Sequence, residues 1–194
     1  MCGRYYVDDE TAREIEKLVR DLDRKLQKVR TGDVFPSQNA TIIRGEGRCL
    51  VAEQMKWGFP GVEKGKILIN ARVESVLERP TFQDSVKHRR CIIPARGFYE
   101  WSKSKEKFNF ECEETQVLFM AGCYNWYQKE SRFVILTTEA NSSVAPVHNR
   151  MPLILEPEEL GNWVLNDSAT KYLLHNKTPV TLKRRAEYEQ MRLF

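Results

Sequence analysis

The sequence predicts an α+β fold, a single domain over residues 1–194 with a largely antiparallel, barrel-like β-sheet and peripheral helices. Three observations predict it. Short strand-like stretches follow one another between residues 91 and 138 with hairpin-sized turns between them, which favours antiparallel over βαβ pairing. An apolar stripe at helical spacing precedes them near the amino end. And 194 residues with 41% apolar content, without a repeat, low-complexity tract or linker-like shift, fit one well-buried core.

The elements read in order as follows. A short strand at 4–7 comes first, and Asp8 or Asp9 can then cap a helix running to about Arg30. Ile15, Leu18, Val19, Leu22, Leu26 and Val29 form its apolar stripe, and Gly32 lies just past its end. Strands at 41–44 and 48–59 flank a Gly45-Glu46-Gly47 turn. A short strand at 67–69 leads into Asn70, and helical segments are expected on both sides of Pro80. Strands at 91–94 and 98–102, a lysine-rich hairpin tip at 102–107, and strands at 108–112, 117–124 and 132–138 build the sheet. A strand at 153–155, a helix started by Pro157, a second short helix around 168–175 and a basic tail complete the chain.

Composition excludes several classes. Cys2, Cys49, Cys91, Cys112 and Cys123 are odd in number and show no C-x-x-C spacing, so neither a disulfide framework nor a metal site is indicated, and no cofactor is called for. Asp8, Asp9 and Glu10 argue against a signal peptide, and no apolar run approaches membrane-span length. A reducing cytoplasm or nucleus is expected, with nucleoid association in a bacterium. The net charge of +4 permits nucleic-acid binding. The runs Lys87-His88-Arg89-Arg90 and Lys183-Arg184-Arg185 could touch phosphate, but charge runs are more often solvated faces.

The chemistry-bearing residues stand out from this frame. Removal of the initiator methionine would expose Cys2 as the amino terminus, with an α-amine titrating near pH ~7.7–8.0 and a thiol near ~8.5. Such a 1,2-aminothiol can attack an aldehyde through nitrogen and then close a thiazolidine ring through sulfur. Asn70 follows an apolar strand, where its amide could serve chemistry or simply cap the next helix. Glu100, inside Phe98-Tyr99-Glu100-Trp101, is a buried acid with a raised pKa or an outward-facing strand residue. Of the histidines, only His148 sits in a compact polar cluster at a sheet edge. Arg4, Arg72 and Arg150 lie within two residues of Cys2, Asn70 and His148, and an arginine fork suits either phosphate or a surface ion pair.

Five stretches in order carry a resemblance: Met1-Cys2-Gly3-Arg4, Trp57-Gly58, Asn70-Ala71-Arg72-Val73-Glu74, Pro94-Ala95-Arg96-Gly97-Phe98-Tyr99-Glu100-Trp101 and His148-Asn149-Arg150-Met151-Pro152. Together they resemble the SRAP (SOS-response-associated peptidase) family, whose domain senses abasic sites in single-stranded DNA. The resemblance implies that Cys2 is the nucleophile and that Asn70 holds its amine and thiol. It implies that Glu100 is an acid/base at the forming imine and that His148 shuttles a proton to the sugar oxygen. Arg4, Arg72 and Arg150 would grip phosphates, and Trp101 would line the pocket. The product would be a thiazolidine DNA–protein crosslink that protects the lesion from strand cleavage, formed by a cysteine-peptidase-like enzyme. The implied partner is single-stranded DNA containing abasic sites, with no membrane and no obligatory protein partner. Asp33 stands where family members often carry asparagine, and an acidic group there disfavours a nearby phosphate. The stretch after Gly58 lacks the tryptophans some relatives use to wedge the duplex, and Thr178-Pro179-Val180-Thr181 matches the closing motif only loosely.

Other classes share parts of this pattern. An amidohydrolase with an amino-terminal nucleophile also exposes such a cysteine, and would release ammonia from glutamine. A non-covalent single-stranded-DNA module would leave no denaturation-resistant adduct. Self-cleavage of Met1 is a third activity compatible with Cys2.

Overall fold

The computed structural model describes residues 2–19, 29–112, 115–175 and 180–186. Strand β1 (Tyr5–Val7) leads into helix α1 (Asp9–Leu18), whose N-cap Asp8 accepts from Thr11 N at 2.8 Å. Then come β2 (Gly32–Val34), β3 (Asn39–Glu46), β4 (Cys49–Trp57), β5 (Phe59–Pro60), β6 (Ile67–Leu68) and β7 (Asn70–Arg72). Helix α2 (Pro80–His88) precedes β8 (Arg90–Ala95), β9 (Gly97–Trp101), β10 (Lys107–Cys112), β11 (Leu118–Tyr127) and β12 (Glu130–Glu139). The chain continues through β13 (Arg150–Pro152), β14 (Ile154–Leu155), α3 (Leu160–Leu165), α4 (Thr170–His175) and β15 (Leu182–Ala186).

β12, β4, β3, β8 and β11 pair in turn, and β11 returns to β12, so the strands close into a barrel. Closure removes exposed sheet edges, which is how an antiparallel sheet of this size avoids pairing with other chains. The pairings are antiparallel except β12 with β4 and β12 with β7. Ile42, Ile43, Ile92, Ile93, Val134, Ile135 and Leu136 are fully buried and form the core of the barrel. A second sheet, ordered β15–β10–β9–β1–β2, carries the amino terminus. The α+β, barrel-like expectation is therefore met. No helix among the described residues is long and apolar enough to cross a membrane.

Several local expectations are corrected. The first helix does not reach Arg30: Val19 leaves helical geometry at ψ 88°, and Val29 and Arg30 are non-helical, while Leu22 and Leu26 lie outside the described residues. A turn, not a helix, occupies the residues before Pro80, so Asn70 caps nothing and instead begins β7 beside Ile135. The run at 87–90 is not uniformly solvated. Arg90 is buried, donating to Val86 O at 3.2 Å, to Lys87 O, and to Asp167 at 2.5 Å. It thereby satisfies the carbonyls that the end of α2 leaves without helical partners. The basic tail contains the edge strand β15, paired along β10.

Candidate active site

The amino terminus is laid beside Glu100 by sheet pairing. Tyr5 and Tyr6 pair with Phe98 and Gly97, and Tyr99 N donates to Arg4 O at 3.0 Å, so residues 2–4 run antiparallel along the end of β9. Gly97 makes that approach possible: a Cβ there would lie 2.6 Å from Phe110 O and 2.9 Å from the Tyr6 ring. Cys2 is wholly buried, its Sγ donating to Arg4 O at 3.7 Å. Burial pushes the Cys2 thiol far up, and the charge of Glu100 adds to the effect. The sulfur is therefore a thiol, not a thiolate, at neutral pH.

Asn70 meets Cys2 from the other sheet. Its Nδ2 donates to Cys2 O at 2.9 Å, while its Oδ1 is buried with no hydrogen-bond partner among the described residues. The position of β7 has a visible cause. The buried Trp57 indole donates to Ile69 O at 2.9 Å, immediately before Asn70, stacks on Phe133 at 6.2 Å and meets the tilted Tyr5 ring at 5.2 Å. Gly58 then turns the chain at φ +114°, a left-handed conformation that favours glycine, with its N–H on Phe133 O at 2.8 Å. The Trp57-Gly58 pair thus braces the segment that carries Asn70. Sequence reasoning gave Tyr5 no role, although strand alternation points it inward. Its hydroxyl is buried with no partner among the described residues, and burial followed by the charge of Cys2 pushes its pKa well up.

Glu100 is only 3% exposed, which excludes the outward-facing alternative. Burial raises its carboxyl pKa, with His148 among the groups pulling it back. His148 lies in the turn between β12 and β13. Arg150 N donates to its Nδ1 at 3.0 Å, which ties the ring to the start of β13. Cys2, Asn70, Glu100 and His148 therefore converge from four separate segments.

The arginines divide. Arg72 is exposed on β7. Arg4 is caged, its guanidinium carbon 4.4 Å from the Phe35 ring centroid, 5.4 Å from Trp101 and 5.8 Å from Tyr99, with Asp33 at 3.6 Å. Trp101 is 37% exposed at the mouth. Arg150, expected to grip phosphate, is instead seen engaged within the protein. It is 8% exposed and grips Glu74 with both terminal nitrogens at 2.6 and 2.9 Å, and it also donates to Thr137 O. Any phosphate would have to compete with a bidentate carboxylate, so its geometry is that of a residue holding the His148 turn onto β12 and the Glu74 turn. Glu74, the partner, was visible in the quoted motif but had no assigned role.

A family model described as SOS response associated peptidase (SRAP) matches residues 1–191. The chain is 32% identical over 181 residues to the abasic site processing protein YoqW of Bacillus subtilis, spanning 84% of this chain and 80% of that one. It is 28% identical over 183 residues to the abasic site processing protein YedK of Escherichia coli, spanning 88% and 82%. A solved protein from Bordetella bronchiseptica shares the fold, with a TM-score of 0.78 at 22% identity over 95% of this chain and 99% of that one. With that match along almost its whole length and a relative at 32% identity, the chain belongs to the SOS response associated peptidase (SRAP) family.

Proposed function

We propose that this protein captures abasic sites in single-stranded DNA as a thiazolidine on Cys2, once Met1 has been removed by methionine aminopeptidase or by Cys2 itself. The observation that carries the reading is the grip of Asn70 on Cys2. One end of the amide already holds the Cys2 carbonyl at 2.9 Å, and the other end is a buried acceptor, without a partner among the described residues, suited to the freed amine. The names of the relatives, abasic site processing proteins, support the substrate.

The chemistry follows from the residues present. As the ring C–O bond breaks, His148 passes a proton to the ring oxygen and the proton lost from the anomeric hydroxyl returns to the imidazole through water, so the abasic sugar opens to its aldehyde with no net change in His148. The Cys2 amine adds to the aldehyde carbon, giving a carbinolamine. Glu100, kept protonated to higher pH by burial, gives its proton to the departing hydroxyl; water leaves, and an iminium and a carboxylate remain. That carboxylate then takes the Cys2 thiol proton as sulfur bonds to the iminium carbon, which returns Glu100 to its starting state and neutralises the nitrogen. The deep burial of the thiol fits this order, because sulfur acts only after the nitrogen has captured the carbon. Arg4 and Arg72 supply phosphate contacts and Trp101 a stacking surface, the combination that single-strand sites use. A free thiol of this kind works in a reducing compartment.

The test is incubation with an oligonucleotide carrying one abasic site, alongside a strand whose abasic analogue lacks the aldehyde. An adduct that survives denaturation and forms only with the aldehyde is expected. Its absence after confirmed removal of Met1 would overturn the proposal in favour of simple binding, and ammonia release from glutamine would favour an amidohydrolase.

A further inference from the structure

Outside the catalytic group, the least explained charge on the surface is the edge strand β15. Leu182 is buried, and Lys183, Arg184 and Arg185 are exposed. Pairing with β10 sets Arg184 opposite Phe110 and Arg185 opposite Asn109, so the two arginines face opposite sides of the sheet. Arg185 lines a shallow hollow with Tyr6 and Tyr99. Arg184 enters a cleft of ≈ 890 Å³ that also presents Trp101, Lys103, Phe108, His148 and Asn149. Its guanidinium carbon lies 5.7 Å from the Phe108 ring centroid, which orients the fork within that cleft. Most arginines around the core are committed: Arg44, Arg90, Arg132 and Arg150 each pair with a carboxylate. Arg184 has no ion pair among the described residues. The one carboxylate lining the cleft, Glu106, accepts from Ser104 Oγ at 3.0 Å at the hairpin tip.

We propose that Arg184 binds a phosphate of the DNA strand flanking the lesion, in the cleft shared by His148 and Trp101. The cleft falls in the size range of small-ligand sites, roughly 300–1,000 Å³, and has room for a nucleotide. An oriented, uncommitted guanidinium beside an exposed indole is what binds a sugar–phosphate backbone without reading sequence. His148 places the abasic sugar at one wall, so the adjoining phosphate reaches the other. The proposal rests on the function proposed above and assigns it one side of the DNA path.

The experiment uses the full chain with Cys2→Ala, which cannot crosslink, and a single-stranded oligonucleotide bearing a non-aldehyde abasic analogue, titrated at several salt concentrations. Arg184→Ala is expected to reduce the slope of log K against log salt by about 0.7, the value for one single-strand phosphate contact. Arg184→Lys should retain the slope, and Arg185→Ala, on the other face, should leave it unchanged. The proposal is overturned by an unchanged slope in Arg184→Ala, by an equal loss in Arg185→Ala, or by failure of the Cys2→Ala chain to bind at all. Adduct formation by the Cys2-intact protein is scored separately. A normal adduct with an unchanged Arg184 slope defeats only this inference, whereas no adduct defeats the functional reading beneath it.

Discussion

Replacing Arg150 by methionine separates a scaffold arginine from a phosphate-binding one. Arg150 is 8% exposed and makes two bonds to Glu74 and one to Thr137 O. Removing one partner of a fully buried pair costs about 3–5 kcal/mol. Here the loss is smaller, because the Glu74 side chain is 46% exposed and water can take the place of the guanidinium. Thr137 O also keeps Val73 N at 3.0 Å, so it is not stranded. Charge-assisted bonds at about 1.5–3 kcal/mol each, reduced for that rehydration, leave a net cost of roughly 2 kcal/mol. For a chain of this length each kcal/mol moves Tm by about 2–4 °C, so a fall of about 4–8 °C is expected in thermal unfolding. The pH dependence adds a signed check. Burial alone would raise the Glu74 carboxyl, but the hydrogen bonds from Arg150 hold it below its usual value. That stabilisation is present above the unfolded pKa of about 4.3 and is lost as pH falls through the folded one, so the Tm gap should narrow in acid. An unchanged Tm at pH 7, together with a shallower salt dependence of DNA binding, would refute the scaffold role and restore Arg150 as a phosphate contact.

Other substitutions probe the remaining roles. Cys2→Ala should abolish the denaturation-resistant adduct while leaving non-covalent affinity in fluorescence anisotropy nearly unchanged; loss of both would make Cys2 structural. Glu100→Gln should slow adduct formation on the order of 10²-fold or more. Because the folded pKa of Glu100 is raised, the buried carboxyl loses stability as pH climbs from about 4.3 through that value, so Glu100→Gln should melt above wild type at pH 7 and draw level near pH 4. An equal Tm difference at both pH values would contradict this. Asp33→Asn should free Arg4 from its 3.6 Å partner and tighten single-strand binding by up to about fivefold, the reach of a half-exposed ion pair; weaker binding would mean that Asp33 orients Arg4 productively.

The sheet was legible because its strands alternate or run apolar, and the hairpin tip at 102–107 announces itself by composition. β15 was not, since Lys183-Arg184-Arg185 has neither alternation nor apolar content; an edge strand needs only one buried anchor, Leu182, and tolerates charge elsewhere. The first helix was overextended because Val29 continues the apolar spacing of Ile15 and Leu18 yet reaches the core from a non-helical segment. Cys2, Asn70, Glu100 and His148 could be named from motifs, but their convergence could not, because it depends on β7 lying against β12 and on residues 2–4 lying against β9. The fate of each arginine was least legible. An exposed guanidinium and one committed to Glu74 look alike in sequence, and only burial and partners separate Arg150 from the exposed Arg72 and Arg184.

Covalent capture by an amino-terminal aminothiol would be visible in the intact mass of the protein before and after exposure to abasic single-stranded DNA. The expected starting mass lacks one methionine, and the expected product equals protein plus oligonucleotide minus one water and is absent in Cys2→Ala. A protein that has lost Met1 and keeps its own mass after exposure, or an adduct that persists in Cys2→Ala, would contradict it.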